Sequence, residues 1–472
     1  MFARLLLLLA GCMVVVGPAL AGGAEGPSYP TPEPPEEPEK LGAGIQRSMA
    51  LMATSTPRRR HSVKVLFYGQ SITVQDWWKE VAADLRRRFP HADLTIENRA
   101  LGGFASQYLV KTAEQDLYPF YPDLLVFHVY GDHRRYEDII ARTRRRTTAE
   151  IAIWNDHVTK LPTPEQEEKG MVGGGEWSEK MSYEFIPGYA REYGCYLMDI
   201  RTAWRRYLDR HGLEPSALLR DGVHLNEWGS YVLAELIKAR LAHNPQLPDA
   251  SRRRMVRTYA VGEDIRWENG KLTMGFEGNR VDAISAWTGD GEAGCARVLI
   301  DGRQPSDFPA LYAFTRPSNT VGVGWPAIMR VGWEKPRLVE EWTARIRQIN
   351  EDHTEFSFEV VGSRTGYDGN GNNQDRFVSD SGRVVIEPDD WHLKRSFDFS
   401  KEPTPVGFEV KWRVVPMFVD VYRPREIEDP TREYSTTLAQ GLPNARHNLE
   451  LVSEGDAPVP IRAIRVYEPP VR

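Results

Sequence analysis

The feature that most constrains the fold is an alternation of short apolar runs with helical patterns, from residue 63 to about residue 240. The apolar runs, such as residues 63–68 and 123–130, are typical of strands that are buried on both faces. Such strands pair in parallel and are covered by helices on both sides. The alternation therefore predicts an α/β domain over residues 62–248, with three αβα layers and a flavodoxin-like parallel sheet.

The pattern changes near Ala250. Downstream, short runs with alternating apolar residues are separated by Gly, Pro, Asn and Asp, which is typical of an all-β domain. We expect a β-sandwich of the jelly-roll type over residues 255–472. Residues 340–349 are predicted to form its one helix, and the poorly phased strands between Trp342 and Trp391 suggest an inserted module.

The first 61 residues indicate export followed by a tether. Arg4 precedes an apolar run over residues 5–16, and Ala19-Leu20-Ala21 is a small-x-small cleavage site, so residues 1–21 are predicted to be a signal peptide. The alternative is a lipoprotein signal, in which Cys12 would carry a lipid anchor; the sequence favours ordinary cleavage. Residues 22–61 contain a Pro/Glu-rich stretch and are predicted to be a linker. The expected location is periplasmic, secreted or on the outer surface, without a transmembrane segment.

Charge and composition exclude several classes of partner. The net charge is −6, and three arginine triplets are scattered along the chain without interleaved aromatic residues. No basic surface for nucleic acid or for anionic membranes is therefore expected.

One candidate catalytic residue follows the first apolar run. That run ends abruptly in Gly69-Gln70-Ser71, and a helical pattern begins at about Val74. A turn between a buried strand and a helix lies at the carboxyl edge of an open α/β sheet, where ligands bind. Ser71 is therefore a candidate nucleophile, although the stretch alone is equally typical of a serine that caps a helix.

A second candidate motif is Asp221-Gly222-Val223-His224, in a loop before the last helix of the domain. A carboxylate three residues before a histidine can fold back onto Nδ1 and leave Nε2 free to accept a proton from a hydroxyl. Alone, the motif also fits a capped helix start with a solvated histidine.

Together the two motifs resemble the SGNH (GDSL-type) hydrolase family over residues 63–241. The first block of the family appears as Gly69-Gln70-Ser71-Ile72-Thr73, the second ends in Leu101-Gly102-Gly103, and the last is Asp221-Gly222-Val223-His224. The resemblance implies that Ser71 is the nucleophile, His224 the general base and Asp221 its orienting partner. It also implies an oxyanion hole formed by the backbone N–H groups of Ser71 and of Gly102 or Gly103.

The third block departs from the family pattern. Where Gly-x-Asn-Asp is expected, the chain has Gly131-Asp132-His133 and therefore lacks the asparagine that would donate to the oxyanion. His133 or Asn155 is the candidate replacement, and both His133 and His157 are also compatible with ordinary loop histidines.

One candidate metal site lies in the β-rich part. Asp368, Asn370, Asn372 and Asp375 alternate as in the start of a calcium loop, but an Asn/Gly turn explains the same residues and is favoured.

The resemblance, export and the β-rich part together predict an exported serine esterase that removes acyl groups, chiefly acetyl, from a polysaccharide or oligosaccharide. No cofactor is expected, and no metal is expected to take part in catalysis. The alternatives are a lipid or aryl esterase of the same fold, or a non-catalytic carbohydrate-binding surface protein on a hydrolase scaffold.

Overall fold

The structure is a computed structural model that describes residues 29–247, 255–287 and 293–471. The predicted signal peptide and Cys12 lie outside the described residues. The α/β part begins with α1 (Gln46–Ala53), β1 (Ser62–Gly69), α2 (Ser71–Val74), α3 (Trp77–Arg88), β2 (Asp93–Asn98), α4 (Ser106–Asp116), β3 (Leu124–His128) and α5 (His133–Arg146). It continues with β4 (Glu150–Trp154), α6 (Pro164–Glu168), α7 (Glu176–Lys180), α8 (Ile186–Glu192), β5 (Tyr196–Met198), α9 (Ile200–His211) and α10 (Glu227–Arg240).

The five strands β1–β5 form one parallel sheet in the order β2-β1-β3-β4-β5. This is the flavodoxin-like strand order, whose topological switch point lies between β1 and β3. Ser71 directly follows β1, so it lies at the carboxyl edge of the sheet next to this switch point. The predicted α/β fold with a parallel sheet is confirmed.

Two hydrophobic cores cover the two faces of this sheet. One face carries side chains from α1, α3, α9 and α10, including Trp77 and Trp204. The other face carries side chains from α4, α5 and α8, including Tyr136. The second core also contains Trp325 and Met329, which belong to the β-rich part of the chain. The two parts therefore share a core on this side of the sheet.

The prediction that residues 22–61 are only a linker is wrong, because α1 lies within them. The helix lacks a side-chain cap of its own, and its first N–H groups are satisfied from a distant strand. The carboxylate of Glu150 accepts from the backbone N–H groups of Arg47, at 3.0 Å, and Ser48, at 2.7 Å. The Arg47 guanidinium contacts Asp123 at 3.0 Å. A cap supplied 103 residues later leaves no local signal in the sequence.

The β-rich part contains only antiparallel pairs among its named strands. Its elements are β6 (Val256–Ala260), β7 (Trp267–Glu268), β8 (Lys271–Ser285), β9 (Cys295–Ile300), β10 (Tyr312–Phe314), β11 (Glu341–Ile349), β12 (Phe356–Gly362), β13 (Gly366–Asn372), β14 (Phe377–Val378), β15 (Val385–Ile386), α11 (Leu393–Ser400), β16 (Glu409–Pro416), β17 (Val421–Tyr422), β18 (Ser435–Glu454) and β19 (Ile461–Tyr467). This confirms the predicted all-β class of the region.

The strands of this part form two large sheets. The segment that forms one sheet is inserted, in chain order, between two strands of the other. A seven-stranded sheet has the order β17-β9-β18-β8-β19-β6, with β7 paired to β8. The chain leaves it after β9, builds a five-stranded sheet in the order β10-β16-β11-β12-β13, and returns with β17. Each large sheet contributes to a hydrophobic core of its own. We call residues 312–416 the inserted sheet region; it is wider than the module suggested between Trp342 and Trp391.

The helix predicted at residues 340–349 is wrong, because this segment forms β11. Trp342, Ala344 and Ile346 are buried while the residues between them are not, which is the period of a strand. Pairing with β12 on one side and β16 on the other overrides the helix propensity of its Glu, Ala, Arg and Gln residues. The α-helix of the inserted sheet region is α11 instead.

In the described part of the chain, no helix has the length and apolarity that a membrane crossing requires.

Candidate active site

The turn that carries Ser71 is formed by a strand end that tolerates only glycine. A Cβ on Gly69 would lie 2.2 Å from the carbonyl oxygen of His128 and 2.4 Å from Thr73 Oγ1. Gln70 is extended, and Ser71 is the first residue of α2. The close approach of β1, β3 and α2 therefore brings the serine hydroxyl to the sheet edge, with the N-terminal N–H groups of a helical turn behind it.

Ser71 Oγ has two hydrogen-bond partners. It lies 3.0 Å from Nε2 of His224 and 2.7 Å from Oε1 of Gln70. Because a hydroxyl carries a single proton, it can donate to only one of these acceptors at a time. The geometry allows transfer of this proton to His224.

The Asp221–His224 loop folds back on itself as a hydrogen-bonded turn. Asp221 Oδ1 accepts from the backbone N–H groups of His224, at 2.7 Å, and Val223, at 2.9 Å. The imidazole Nδ1 lies 2.9 Å from Asp221 Oδ2. These backbone N–H groups and then the imidazole lower the pKa of the Asp221 carboxyl to about 2. The ionised carboxylate holds the proton of the neutral imidazole on Nδ1, which leaves the lone pair of Nε2 directed at Ser71.

Two side chains fix this loop from either side. Gln75, just after α2, donates to the carbonyl oxygen of Leu225 at 2.8 Å and accepts from its N–H at 3.1 Å. The buried His157 donates from Nε2 to the carbonyl oxygen of Val223 at 2.8 Å. Burial lowers the pKa of His157 and so favours the neutral ring, and the contact with the carbonyl oxygen places its proton on Nε2. These contacts fix the position of the His224 loop relative to the Ser71 turn.

The loop after β2 lies beside Ser71 and carries backbone donors that have no acceptor. A Cβ on Gly102 would be 4.0 Å from Ser71 Cβ. Among the backbone hydrogen bonds of the described residues, the N–H groups of Ser71, Gly102 and Gly103 have no acceptor, whereas Phe104 N–H donates to Leu101. Such free N–H groups next to a hydroxyl are the donors that an oxyanion requires.

Residues from the inserted sheet region hold the carbonyl groups of the same loop. Trp325 donates from Nε1 to the carbonyl oxygen of Gly102 at 2.7 Å. Arg395 donates from Nη2 to the carbonyl oxygen of Gly103 at 2.8 Å. Gly103 has a φ of +75°, and a Cβ there would lie 2.7 Å from the Trp325 ring. Only glycine fits at position 103.

Asn155, a candidate oxyanion donor, bonds with the start of another helix. Asn155 Oδ1 accepts from the N–H groups of Ile200, at 2.8 Å, and Arg201, at 2.9 Å, while Nδ2 donates to Asp199 at 2.9 Å. Its amide is therefore engaged at the start of α9, and none of its described hydrogen bonds involves Ser71.

His133, the other candidate, is the first residue of α5, and its ring packs against aromatic side chains. The ring centroid lies 4.1 Å from that of Phe185 and 5.8 Å from that of Trp177. None of the described contacts of His133 involves Ser71. Asp132 caps the same helix by accepting from the N–H groups of Arg134 and Arg135. The donors next to Ser71 in the described structure are thus backbone groups.

A cleft of about 940 Å³ opens beside Ser71 and His224. Gly102, Val74 and Tyr231 line it, together with four carboxylates, Asp76, Glu80, Glu227 and Glu235, and two cationic side chains, Arg220 and Lys238. This lining combines an apolar surface with charged side chains, among which carboxylates outnumber cationic groups. It provides many hydrogen-bond acceptors and disfavours a polyanionic ligand.

The candidate calcium loop is a strand end and a turn. Asp368 accepts from Ser381 through its backbone N–H, at 2.8 Å, and its hydroxyl, at 2.7 Å. Asn372 Oδ1 accepts from the N–H of Gln374, and its Nδ2 donates to Asp375. Asn370 lies in β13. Among the described residues, no group of three His, Cys, Asp or Glu side chains is arranged to hold a metal ion. The calcium interpretation is therefore replaced by the turn.

Sequence reasoning missed Gln75, Trp325 and Arg395. Gln75 follows the predicted nucleophile closely but belongs to no motif. Trp325 is only 7% exposed, which is also typical of a core tryptophan in a β-sandwich. Its partner is 223 residues away in sequence, so no local pattern could reveal the contact.

No protein-family model matches the chain, and a comparison with curated proteins finds no match. Solved structures do match. A two-domain esterase active on acetylated mannans aligns with 92% of this chain and 97% of its own, at 14% identity and a TM-score of 0.36. An acetylxylan esterase from Geobacillus stearothermophilus aligns with 41% of this chain and 99% of its own, at 16% identity and a TM-score of 0.33. In these comparisons the chain is similar to esterases of acetylated polysaccharides.

Proposed function

We propose that this protein is a serine esterase that removes acyl groups, chiefly acetyl, from a carbohydrate. The observation that carries the proposal is the contact of 3.0 Å between Ser71 Oγ and His224 Nε2, with Asp221 2.9 Å from the other ring nitrogen. A nucleophile in contact with a base, and a base oriented by a carboxylate, is the arrangement needed for acyl transfer.

The reaction would proceed in two steps. Ser71 Oγ attacks the ester carbonyl carbon while its proton passes to His224 Nε2. The bond from the carbonyl carbon to the alcohol oxygen breaks, and His224 returns the proton to that oxygen, which leaves an acyl-serine. A water molecule then attacks the acyl-serine as His224 takes one of its protons. The acid leaves, and Ser71 Oγ regains its proton from His224.

The negative charge of each tetrahedral intermediate would be stabilised by the free N–H groups of Ser71, Gly102 and Gly103. Fixed donors of this kind are the largest single contribution in many acyl-transfer enzymes, and the loss of one typically costs about 10²–10³ in kcat. These backbone donors would replace the side-chain donor that the third block lacks.

A neutral carbohydrate is the favoured alcohol part of the ester for two reasons. The acceptors in the cleft suit sugar hydroxyl groups, and its excess of carboxylates opposes polyuronates. Phe399 is 72% exposed, and its ring centroid lies 5.3 Å from that of Trp325, next to the Gly102 loop. An exposed aromatic ring beside a catalytic loop is suited to stack on a sugar face.

The alternatives are a lipid or aryl esterase and a non-catalytic carbohydrate-binding protein. The charged lining of the cleft and the mean hydropathy of −0.48 count against a lipid substrate. The orientation of His224 by Asp221 counts against a non-catalytic role, since binding alone requires no such alignment. Export, with either signal cleavage or a lipid anchor at Cys12, remains part of the proposal.

Turnover of 4-nitrophenyl acetate by the purified protein tests the reaction class, with Ser71→Ala as the decisive variant. We expect Ser71→Ala to lose at least about 10³-fold in kcat and to resist labelling by a serine-directed phosphonate. Ser216→Ala, in a short 3₁₀ helix before the Asp221 motif, is the matched control and should keep full activity. Equal activity of Ser71→Ala and the wild type would refute the esterase proposal.

Acetate release from polysaccharides then tests the substrate class. Acetylated xylan should be a better substrate than acetylated pectin, because pectin carries carboxylates that the cleft repels. A preference for pectin would contradict the neutral-carbohydrate assignment. A preference for long-chain acyl esters over both would favour the lipid esterase.

A further inference from the structure

The contact between the inserted sheet region and the loop beside Ser71 involves hydrogen bonds to successive carbonyl groups. Trp325 Nε1 donates to Gly102, and Arg395 Nη2 donates to Gly103. Both donors come from a segment that begins more than 200 residues after the glycines. A contact made only for packing would bury apolar atoms and would not need two directed donors on adjacent peptide groups.

Each of these bonds sets the direction of a peptide group. The C=O and N–H groups of a trans peptide point in opposite directions. The bond from Trp325 to the Gly102 carbonyl therefore turns the Gly103 N–H away from the indole. The bond from Arg395 to the Gly103 carbonyl does the same for the Phe104 N–H, which donates to Leu101 at 3.2 Å and closes the turn.

The donors are themselves rigidly held. The Trp325 ring is in van der Waals contact with Gly103 and packs against Phe104, with ring centroids 6.0 Å apart. The Arg395 guanidinium stacks over Tyr108 at 4.0 Å and over Trp325 at 4.9 Å, and it contacts His392 Nε2 at 3.5 Å. No carboxylate of the described residues forms an ion pair with it. Its role is thus directed at the loop rather than at charge compensation.

We propose that Trp325 and Arg395 are positioning residues: Trp325 orients the Gly103 N–H as an oxyanion donor, and Arg395 fixes the turn that carries this donor. The inserted sheet region then supplies side chains that position the catalytic groups. The α/β part alone is therefore an incomplete esterase. This inference rests on the proposed function, and it assigns the region a role beyond carbohydrate binding.

The test removes the hydrogen-bond donors of Trp325 and Arg395 and keeps the approximate shape of each side chain. Replacing the indole of Trp325 by benzothiophene, which has sulfur in place of the N–H, deletes one hydrogen bond with almost no change in volume. Arg395→Met keeps a long side chain and deletes the other hydrogen bond. With 4-nitrophenyl acetate, each should lower kcat at least about tenfold and change KM less than about twofold, because a misplaced oxyanion donor acts on the transition state.

A tetrahedral mimic separates positioning from general structural damage. Phenylboronic acid forms a tetrahedral adduct with an active serine, and its affinity should fall in the same ratio as kcat in each variant. Arg395→Lys, which can still donate to the Gly103 carbonyl, should recover part of the lost kcat. Trp333→Phe is the control, since Trp333 is a half-exposed tryptophan of the same region that packs on Arg337.

The outcomes distinguish the two proposals. If Ser71→Ala is inactive while the Trp325 and Arg395 variants keep kcat within about twofold of the wild type, the positioning role is overturned and the esterase stands. If Ser71→Ala keeps full activity, the esterase itself fails. A variant that loses kcat with unchanged boronate affinity also overturns the positioning role. The circular dichroism spectrum and the Tm identify an Arg395→Met protein that fails to fold, in which case the benzothiophene protein decides.

Discussion

Trp325 donates its indole N–H to the carbonyl oxygen of Gly102 over 2.7 Å, and its ring leaves no room for a Cβ on Gly103. This contact joins the inserted sheet region to the loop beside the candidate nucleophile. The two parts of the chain therefore meet at the site itself and not only along a remote interface.

Gly103→Ala should damage both stability and turnover. The backbone at Gly103 has a φ of +75°, and the added Cβ would lie 2.7 Å from Trp325 Cζ2. The conformation alone costs about 1–2 kcal/mol for an L-residue. The clash with the indole would in addition shift the loop, so we expect kcat for 4-nitrophenyl acetate to fall at least about tenfold.

Gly170→Ala is the matched control for this variant. Gly170 has a φ of +76°, and nothing lies within 4 Å of a Cβ placed there. It should therefore lose stability through its backbone but keep its activity. Equal kcat values for the two variants would show that the contact between Gly103 and Trp325 has no part in turnover.

Asp221→Asn should abolish most of the activity. An amide that donates to His224 Nδ1 would favour the opposite tautomer and place the proton on Nε2, which faces Ser71. In enzymes with this arrangement, the same change lowers kcat by about 10⁴. Steady-state kinetics with 4-nitrophenyl acetate measures the effect.

The stability of the Asp221 loop should depend on pH in the acid range. The backbone N–H groups of His224 and Val223 hold the pKa of Asp221 at about 2, below the value of about 3.9 for an unfolded chain. A lowered pKa stabilises the folded state above the unfolded value, and this contribution is lost as the pH falls through the folded value. The Tm difference between the wild type and Asp221→Asn should thus be constant near neutral pH and shrink between about pH 4 and pH 2.

Asp429→Asn is the control for the acid effect. Asp429 accepts from the hydroxyl and then from the backbone N–H of Thr431, and both bonds lower its pKa, but it does not line the cleft. It should show a similar pH dependence of Tm and unchanged turnover. A Tm difference for Asp221→Asn that grows on acidification would contradict the assignment.

His157→Phe should lower kcat with a moderate loss of stability. The phenyl ring keeps the contact with Trp204, whose ring centroid lies 5.3 Å from that of His157. The carbonyl of Val223 would lose its donor, and a hydrogen bond of this kind contributes about 0.5–1.5 kcal/mol. Of the two side chains that hold the His224 loop, only Gln75 would then remain. We therefore expect about a tenfold lower kcat.

His211→Phe provides the comparison. His211 also packs against an aromatic ring, that of Tyr207 at 4.6 Å, but it lies at the end of α9. It should leave kcat unchanged. If both histidine variants reduce kcat alike, the effect comes from general loosening and not from the Val223 contact.

Phe399→Ala should affect carbohydrate substrates selectively. Its exposed ring beside Trp325 offers a stacking surface that a small aryl ester does not need. We expect KM for an acetylated xylo-oligosaccharide to rise about tenfold or less, the equivalent of 1–1.5 kcal/mol for one stacking contact, with unchanged kinetics for 4-nitrophenyl acetate. Tyr367→Ala, on a side chain that is 57% exposed in β13, should change neither. A parallel loss with both substrates would exclude a stacking role.

Local sequence was informative where the interactions are local. The apolar run of β1 and the sharp Gly69-Gln70-Ser71 turn lie where the pattern predicts them. The spacing of Asp221 and His224 is enough to close their turn, because the donors of Val223 and His224 follow the carboxylate directly. Asn226 caps α10 by accepting from Gly229, three residues later in the chain.

The errors occurred where distant residues supply the decisive contact. α1 was missed because its cap is Glu150, and β11 was taken for a helix because two neighbouring strands outweigh its propensity. Asn155 was a candidate for the missing oxyanion donor because of its position in the chain. In the structure its amide oxygen accepts from the first N–H groups of α9.

By itself, the sequence determined the parallel α/β class, the sharp turn at Gly69-Gln70-Ser71 and the self-closing Asp221–His224 loop. Each of these depends on the order of neighbouring residues, through hydrophobic period and short-range hydrogen bonds. Only the tertiary structure decided that Ser71 and His224, 153 residues apart, lie 3.0 Å from each other. It alone also brought Trp325 and Arg395 to the Gly102–Gly103 loop. Such contacts depend on how the sheets pack, and packing is a property of the folded chain that no local pattern contains.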